Sequence, residues 1–268
     1  MDVNAYLDRI DMKPPHAADA AYLRELHRAH QSAVPFENLS IHLGEPITLG
    51  EPELFDKIVR RRRGGFCYEL NGLLALLLEE LGYSVERLAA RVFGGEHLGP
   101  PFDHLLLLVT TAGGDGPWLV DVGFGSHSTY PLDFADRAEQ RDPGGVFRLA
   151  DAPDGDVDVI KDGTPAYRIE RRVRTLDEFR PTCWYQQTSP DSHFTRGDVC
   201  TRLDGDGRIT LSGRKLIRTG AAGRTETLLD SGEAVLAAYR EHFGVILDRE
   251  PTVRNPQDRG ERADAAQP

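Results

Sequence analysis

Residues 60–81 read RRRRGGFCYELNGLLALLLEEL, and the reading of this stretch decides the fold. Leu70, Leu73, Leu74, Leu77, Leu78 and Leu81 recur at spacings of three and four, the period of an α-helix. Leucine stands on nearly every turn, so the helix is expected to be buried, with Glu69, Asn71, Glu79 and Glu80 as its few polar positions. Gly82 follows as a left-handed cap. Cys67 therefore falls in or just before the first turn of a buried helix. Unpaired N–H groups and the helix dipole favour an anion there. A free thiol titrates near pH ~8.5 and the thiolate is the nucleophile, so the position predicts a shift toward thiolate. Gly64 and Gly65 leave room beside the sulfur for a substrate carbonyl. The competing reading is a small core residue, because free cysteine is among the most buried residue types.

The chain has 268 residues, enough for one large domain or two to three small ones with a sizeable core. A formal charge of −11 argues against nucleic acid or an anionic membrane surface as partner. The run Arg60–Arg63 is either a local basic pocket or a solvated helix face. Three cysteines, Cys67, Cys183 and Cys200, lie far apart without zinc-type spacing, so no metal site is expected and a reducing cytoplasm fits. MDVNAYLDRI is acidic and lacks an apolar run, so no signal peptide is expected, and no stretch is long enough to span a bilayer.

Residues 1–83 read as helical. Asp19 caps a helix to about Ser32, and Pro52 suits the first turn of another with Leu54, Phe55, Ile58 and Val59 on its apolar face. From about Ser84 short β-rich runs take over: SVERLAARVF, HLLLLVT, WLVDVGF, GVFRLA, DVDVIKD and AYRIERRVR. They suggest a small barrel or sandwich. TAGGDGP makes HLLLLVT and WLVDVGF a hairpin. Thr175 and Glu178 form a capping box, CWYQQTSPDSHF reads as an aromatic-bearing loop, and VCTRL, RITLS and RKLIRT read as further strands. Ser231 caps a last helix through Phe243, which Gly244 ends. The tail from about Arg249 is polar and is expected to be disordered.

A cysteine nucleophile needs a base and an orienting group. His27 and His30 sit in an amphipathic helix and read as surface or edge residues, whereas His104 opens the apolar run LLLLV. Asp121 interrupts the apolar strand WLVDV, where a buried carboxylate must be paired, with either a histidine or an arginine. A turn centred near Gly114 and Asp115 puts Asp121 opposite Leu108, leaving His104 roughly 13 Å further along. A bulge or a shifted register is needed to join them.

Five blocks, PFENL (35–39), RRGGFCYELNGL (62–73), DHLLLLV (103–109), LVDVGFG (119–125) and SPDSHF (189–194), resemble in order those of the arylamine N-acetyltransferase family. Coverage runs from about residue 4 to 247, and Gln186 and Gln187 before the Ser-Pro depart from the pattern. The resemblance implies an α+β fold: an N-terminal helical bundle (1–83), a central antiparallel β-barrel (84–185) and a C-terminal α/β lid (186–248), before the tail 249–268. It implies a papain- or transglutaminase-like triad with Cys67 as acyl-thioester nucleophile, His104 as base and Asp121 as its partner. Phe36, Phe124 and Phe194 match acceptor-pocket positions, and Gly123 and Gly125 match positions beside the CoA pantetheine; plain packing or a turn explains each of them nearly as well. The implied reaction moves acetyl from acetyl-CoA, a substrate and not a resident cofactor, to small arylamines, arylhydrazines or N-hydroxyarylamines. The alternatives are an amide synthase acting on a carrier-bound polyketide chain and a thiol hydrolase. The sequence leaves the oligomeric state unspecified.

Overall fold

The leucine pattern becomes the fifth helix of the chain. A computed structural model describes residues 1–253. Its N-terminal part contains α1 (Val3–Arg9), α2 (Ala20–Ala33), α3 (Leu39–Leu43), α4 (Glu51–Phe55, continued by one π-turn to Arg60) and α5 (Cys67–Glu80). Asp19 caps α2 by accepting from the Tyr22 N–H at 2.8 Å. Gly82, at φ 95°, ends α5, with the Gly82 and Tyr83 N–H groups returning to the Glu79 and Leu78 carbonyls. The apolar side chains of α1, α2, α4 and α5 form one core with Cys67 at its margin.

Three of the polar positions of α5, Glu69, Asn71 and Glu79, have specific partners. Glu69 accepts from the Phe66 N–H at 3.2 Å, closing the helix start, and from Lys57 Nζ at 2.6 Å. Both charges are buried. Burial pushes the Glu69 carboxyl upward and Lys57 pulls it back. Lys57→Met is therefore expected to cost about 3–5 kcal/mol in denaturant unfolding, because it strands a buried carboxylate. A loss under about 1 kcal/mol would show that Glu69 takes up a proton cheaply.

Beyond residue 83 the chain becomes strands. A short β1 (Phe36–Glu37) precedes them, and nine follow in one antiparallel sheet: β2 (Ser84–Gly94), β3 (His97–Leu98), β4 (His104–Thr110), β5 (Trp118–Val120), β6 (Leu132–Asp133), β7 (Gln140–Asp142), β8 (Gly145–Asp151), β9 (Val157–Lys161) and β10 (Thr164–Arg174). The order is β6-β5-β4-β2-β10-β9-β8-β7, with β3 on the end of β2, and the sheet nearly closes into a barrel. The Gln140 side chain spans the two ends, donating to the Asp133 carbonyl and accepting from the Asp133 N–H, each at 2.8 Å. β4 is buried on both faces, which is why it reads as unbroken leucine. Leu105, Leu107 and Val109 pack on the α5 core; Leu106 and Leu108 point into the barrel.

The C-terminal part adds α6 (Arg180–Thr188), α7 (His193–Arg196), the strands β11 (Cys200–Asp204), β12 (Gly207–Ser212), β13 (Lys215–Gly220) and β14 (Gly223–Leu228), and α8 (Gly232–Phe243). These strands extend β1 in the order β1-β11-β12-β13-β14, so the PFENL segment is an edge of the second sheet. α8 packs Val235, Tyr239 and Phe243 onto β11 and β12, while β14 is exposed along its whole length.

Several expectations are corrected. The segment Cys183–Phe194 is not a loop but parts of α6 and α7: Pro181 opens the first, as proline does at a helix start, and Ser192 caps the second. The strand from Trp118 stops at Val120, before Asp121. The arginine run divides: Arg60, Arg61 and Arg62 are exposed, but Arg63 is buried and donates from Nε to Glu37 at 3.0 Å. The tail is anchored where it starts, with Arg249 donating to the Leu43 carbonyl and the Thr252 N–H reaching the His42 carbonyl. The rest of the tail expected to be disordered, residues 254–268, lies outside the described residues. Among the described residues, no helix is long and apolar enough to cross a membrane, and no cluster of His, Cys, Asp and Glu is arranged to hold a metal.

Candidate active site

Cys67 is the first residue of α5, and its side chain is buried. Gly64 and Gly65 do not open space for a substrate. A Cβ on Gly64 would lie 1.9 Å from the Pro35 carbonyl oxygen, and one on Gly65 would lie 2.7 Å from Glu69 Cβ. Gly64 lets the chain press against residues 35–37, where the Glu37 N–H bonds the Gly65 carbonyl at 2.8 Å, and Gly65 makes room for the Glu69 side chain. The helix N-terminus alone does not make the sulfur anionic. Burial pushes the thiol well above its usual range, against the pull of a hydrogen bond from the Leu105 backbone. A thiolate here requires a partner that takes the proton.

His104, at the start of β4, lines the same cavity as Cys67. Its Nε2 lies 2.8 Å from Asp121 Oδ2, which leaves Nδ1 as the ring nitrogen able to exchange a proton. The register resolves the distance problem: Leu107 pairs with Val120 and Leu108 with Leu119, two residues away from the predicted alignment. Asp121 therefore follows the end of β5 opposite Leu106, one diagonal step from His104, a separation that side chains bridge. The histidine, not an arginine, is the side chain paired with the buried carboxylate.

Asp121 is held from every side. It accepts from Asn71 Nδ2 and the Gly123 N–H at 3.0 Å each, and from the Tyr167 hydroxyl at 3.1 Å. Burial would raise its pKa, but the charge and hydrogen bond of His104 outweigh it, and the carboxyl sits well below the usual range. Asn71 also donates to the Leu105 carbonyl at 2.7 Å and accepts from the Val122 N–H at 3.0 Å. One side chain on α5 thus fixes Cys67, His104 and Asp121 relative to each other.

His27 is a second group that the sequence placed wrongly. It and His30 are fully buried, not at the surface. His27 Nε2 accepts from the Asp121 N–H at 3.1 Å, so Nδ1 carries the proton and donates to the Thr129 carbonyl at 2.9 Å. Burial lowers its pKa and keeps the ring neutral, as this bonding requires. Tyr167 and His127 were also missed. The Tyr167 hydroxyl gives its proton to Asp121 and meets His127 Nε2 at 3.1 Å. Burial lowers the pKa of His127 to about 3. The alternation of β10, with Tyr167 and Ile169 inward, was the available signal for Tyr167.

Cys67 and His104 open onto one cavity of about 220 Å³. Phe36, Phe124, Phe194 and Gly123 line it as well. The ring of Phe124 meets that of His104 edge-on at 5.2 Å. Phe194 reaches the cavity because Asn38 holds α7, donating to the Phe194 and Gly197 carbonyls at 3.0 and 2.8 Å. Gly125, at φ 86°, lies against the Phe36 ring. Gly123 is pressed on Cys67: an added Cβ would lie 2.7 Å from both Cys67 Cα and Asn71 Nδ2. Gly123→Ala is expected to lower stability by about 1–3 kcal/mol in denaturant unfolding. An unchanged midpoint would mean that α5 can retreat freely.

The arrangement suits cysteine-dependent acyl transfer: a sulfur at a helix start, an imidazole and its carboxylate around a small aromatic cavity. The N-acetyltransferase family model matches residues 19–252. An arylamine N-acetyltransferase of Mycobacterium tuberculosis is 38% identical over 253 residues, covering 91% of this chain and 89% of its own. The human arylamine N-acetyltransferase 1 is 33% identical, covering 93% of this chain and 96% of its own. The structure of the M. smegmatis arylamine N-acetyltransferase superposes with a TM-score of 0.87 at 36% identity, covering 94% of this chain and 96% of that one. That of the Mycobacterium marinum enzyme in complex with CoA has a TM-score of 0.83 at 36% identity, covering 91% and 93%. The chain belongs to the arylamine N-acetyltransferase family.

Proposed function

We propose that the chain transfers acetyl from acetyl-CoA, by way of a thioester on Cys67, to arylamines, arylhydrazines or N-hydroxyarylamines. The observation that carries this reading is the shared cavity of Cys67 and His104, with His104 Nε2 bonded to Asp121. His104 Nδ1 takes the Cys67 proton, and the thiolate attacks the acetyl carbonyl. The N–H groups at the start of α5 receive the oxyanion, and CoA leaves as its thiol with the proton from His104. A neutral amine then attacks the acetyl-cysteine, His104 removes its proton, and the Cys67 thiolate departs. Phe36, Phe124 and Phe194 clamp the aryl ring. Gly123 and Gly125 offer bare backbone to the pantetheine arm of CoA. In this reading residues 1–83 supply the nucleophile, 84–185 the base and its partner, and 186–248 a lid, in a cytoplasmic enzyme. A cavity of about 220 Å³ suits one aryl ring better than a long polyketide chain.

Mass spectrometry of the protein mixed with acetyl-CoA is expected to show one acetyl adduct, on Cys67, which arylamine discharges. No adduct, or one discharged equally fast by water alone, would overturn the reading.

A further inference from the structure

One departure from the family pattern, Gln186, acts on the cavity through a residue the reaction does not use. Asp103 lies just before His104, is buried, and lines the same cavity as Cys67. Gln186 on α6 donates from Nε2 to Asp103 Oδ1 at 2.6 Å. The other end of that amide accepts from the Ser192 hydroxyl, so the amide cannot turn away. The backbone is held as firmly. The Tyr68 hydroxyl, next to Cys67 in the chain, bonds the Phe102 and Asp103 carbonyls at 2.9 and 3.1 Å. Among the described residues no lysine or arginine forms an ion pair with Asp103. His193 lies on the same cavity, and burial lowers its pKa, so it does not supply a fixed positive charge at neutral pH. Burial also favours the protonated form of Asp103, a cost that a donor or cation brought by a ligand would offset.

We propose that Asp103, pinned by Gln186, selects the acceptor: it favours aryl acceptors that carry an N–H donor or a positive group beside the reacting amine, such as arylhydrazines, and it repels arylamines that carry a carboxylate. This rests on the transferase reading above. In a cavity of about 220 Å³ an acceptor ring against Cys67 keeps its substituents within a few ångströms of the carboxylate. At that range like charges in a partly desolvated site discriminate by on the order of tenfold or more.

The test compares 4-aminobenzoate with 4-aminobenzamide, which have nearly the same shape and differ in charge. With the full chain and acetyl-CoA, kcat/KM for the amide is expected to exceed that for the carboxylate by about tenfold or more. Asp103→Asn is expected to bring the ratio within about twofold, whatever it does to the absolute rates. Asp103→Ser, which removes the charge with a smaller side chain, is measured in parallel. A wild-type ratio near or below one overturns the proposal without any variant. A ratio above ten that either variant preserves overturns it too. Absence of an acetyl-Cys67 adduct in the wild-type protein would instead sink the transferase reading, so the two failures are separate.

Discussion

Cys67→Ala is expected to reduce acetyl transfer by about 10⁴-fold or more. Among the described residues the sulfur is the only one on the cavity: Cys183 packs beside Gln187, and Cys200 lies in the core beneath α8. No other thiol can take over the acyl group without α6 or β11 moving. The fold should survive, because the change removes one small buried atom among leucines and phenylalanines, at a cost of about 1 kcal/mol. Steady-state rates with acetyl-CoA and an arylhydrazine measure the first effect; far-ultraviolet circular dichroism and unfolding midpoints measure the second. A variant that keeps even a few per cent of the rate would place the acyl transfer elsewhere.

Asp121→Asn is expected to lower kcat by about 10³–10⁴-fold. The carboxylate receives hydrogen bonds from His104, Asn71, Gly123 and Tyr167, all of which need an acceptor. An asparagine presents one oxygen and one NH2 group. Whichever way it turns, a donor faces a donor, and His104 is driven toward the tautomer with its proton on Nδ1, the nitrogen required as base. Stability should change in a defined pH range. The folded Asp121 carboxyl lies below its unfolded value, so ionised Asp121 adds stability above about pH 4 and loses it as pH falls. The variant should therefore be weakened at neutral pH and show a flatter acid limb of unfolding. Equal rates for Asp121→Asn and the parent would remove the carboxylate from the mechanism.

What the sequence revealed depended on whether a residue's role is set locally. The α5 helix, its Gly82 cap and the caps at Asp19 and Ser231 follow from short-range pattern, and all are found. The unbroken leucines of β4 were legible as an apolar strand, but not the two cores, one on each face, that cover them. His104 and Asp121 were legible as odd polar residues in apolar strands. Their contact was not, because register depends on where a turn closes, and two residues decide it. His27 looked like any histidine on an amphipathic helix; its partner, the Asp121 N–H, is 94 residues away. Gln186 was visible only as a departure, since what it holds lies on another element. The Ser/Pro-rich text of residues 183–194 suggested a loop, but proline at a helix start and serine before one are also entry signals.

The exposed hairpin of β13 and β14 has a practical consequence. At the other edge of the same sheet lies β1, and Asn38 just after it grips the carbonyls of Phe194 and Gly197 on the cavity wall. The hairpin turn between Gly220 and Gly223 stands apart from that grip. It is the place where a fluorophore, an affinity label or a surface-immobilisation handle can be grafted while the chemistry proceeds undisturbed.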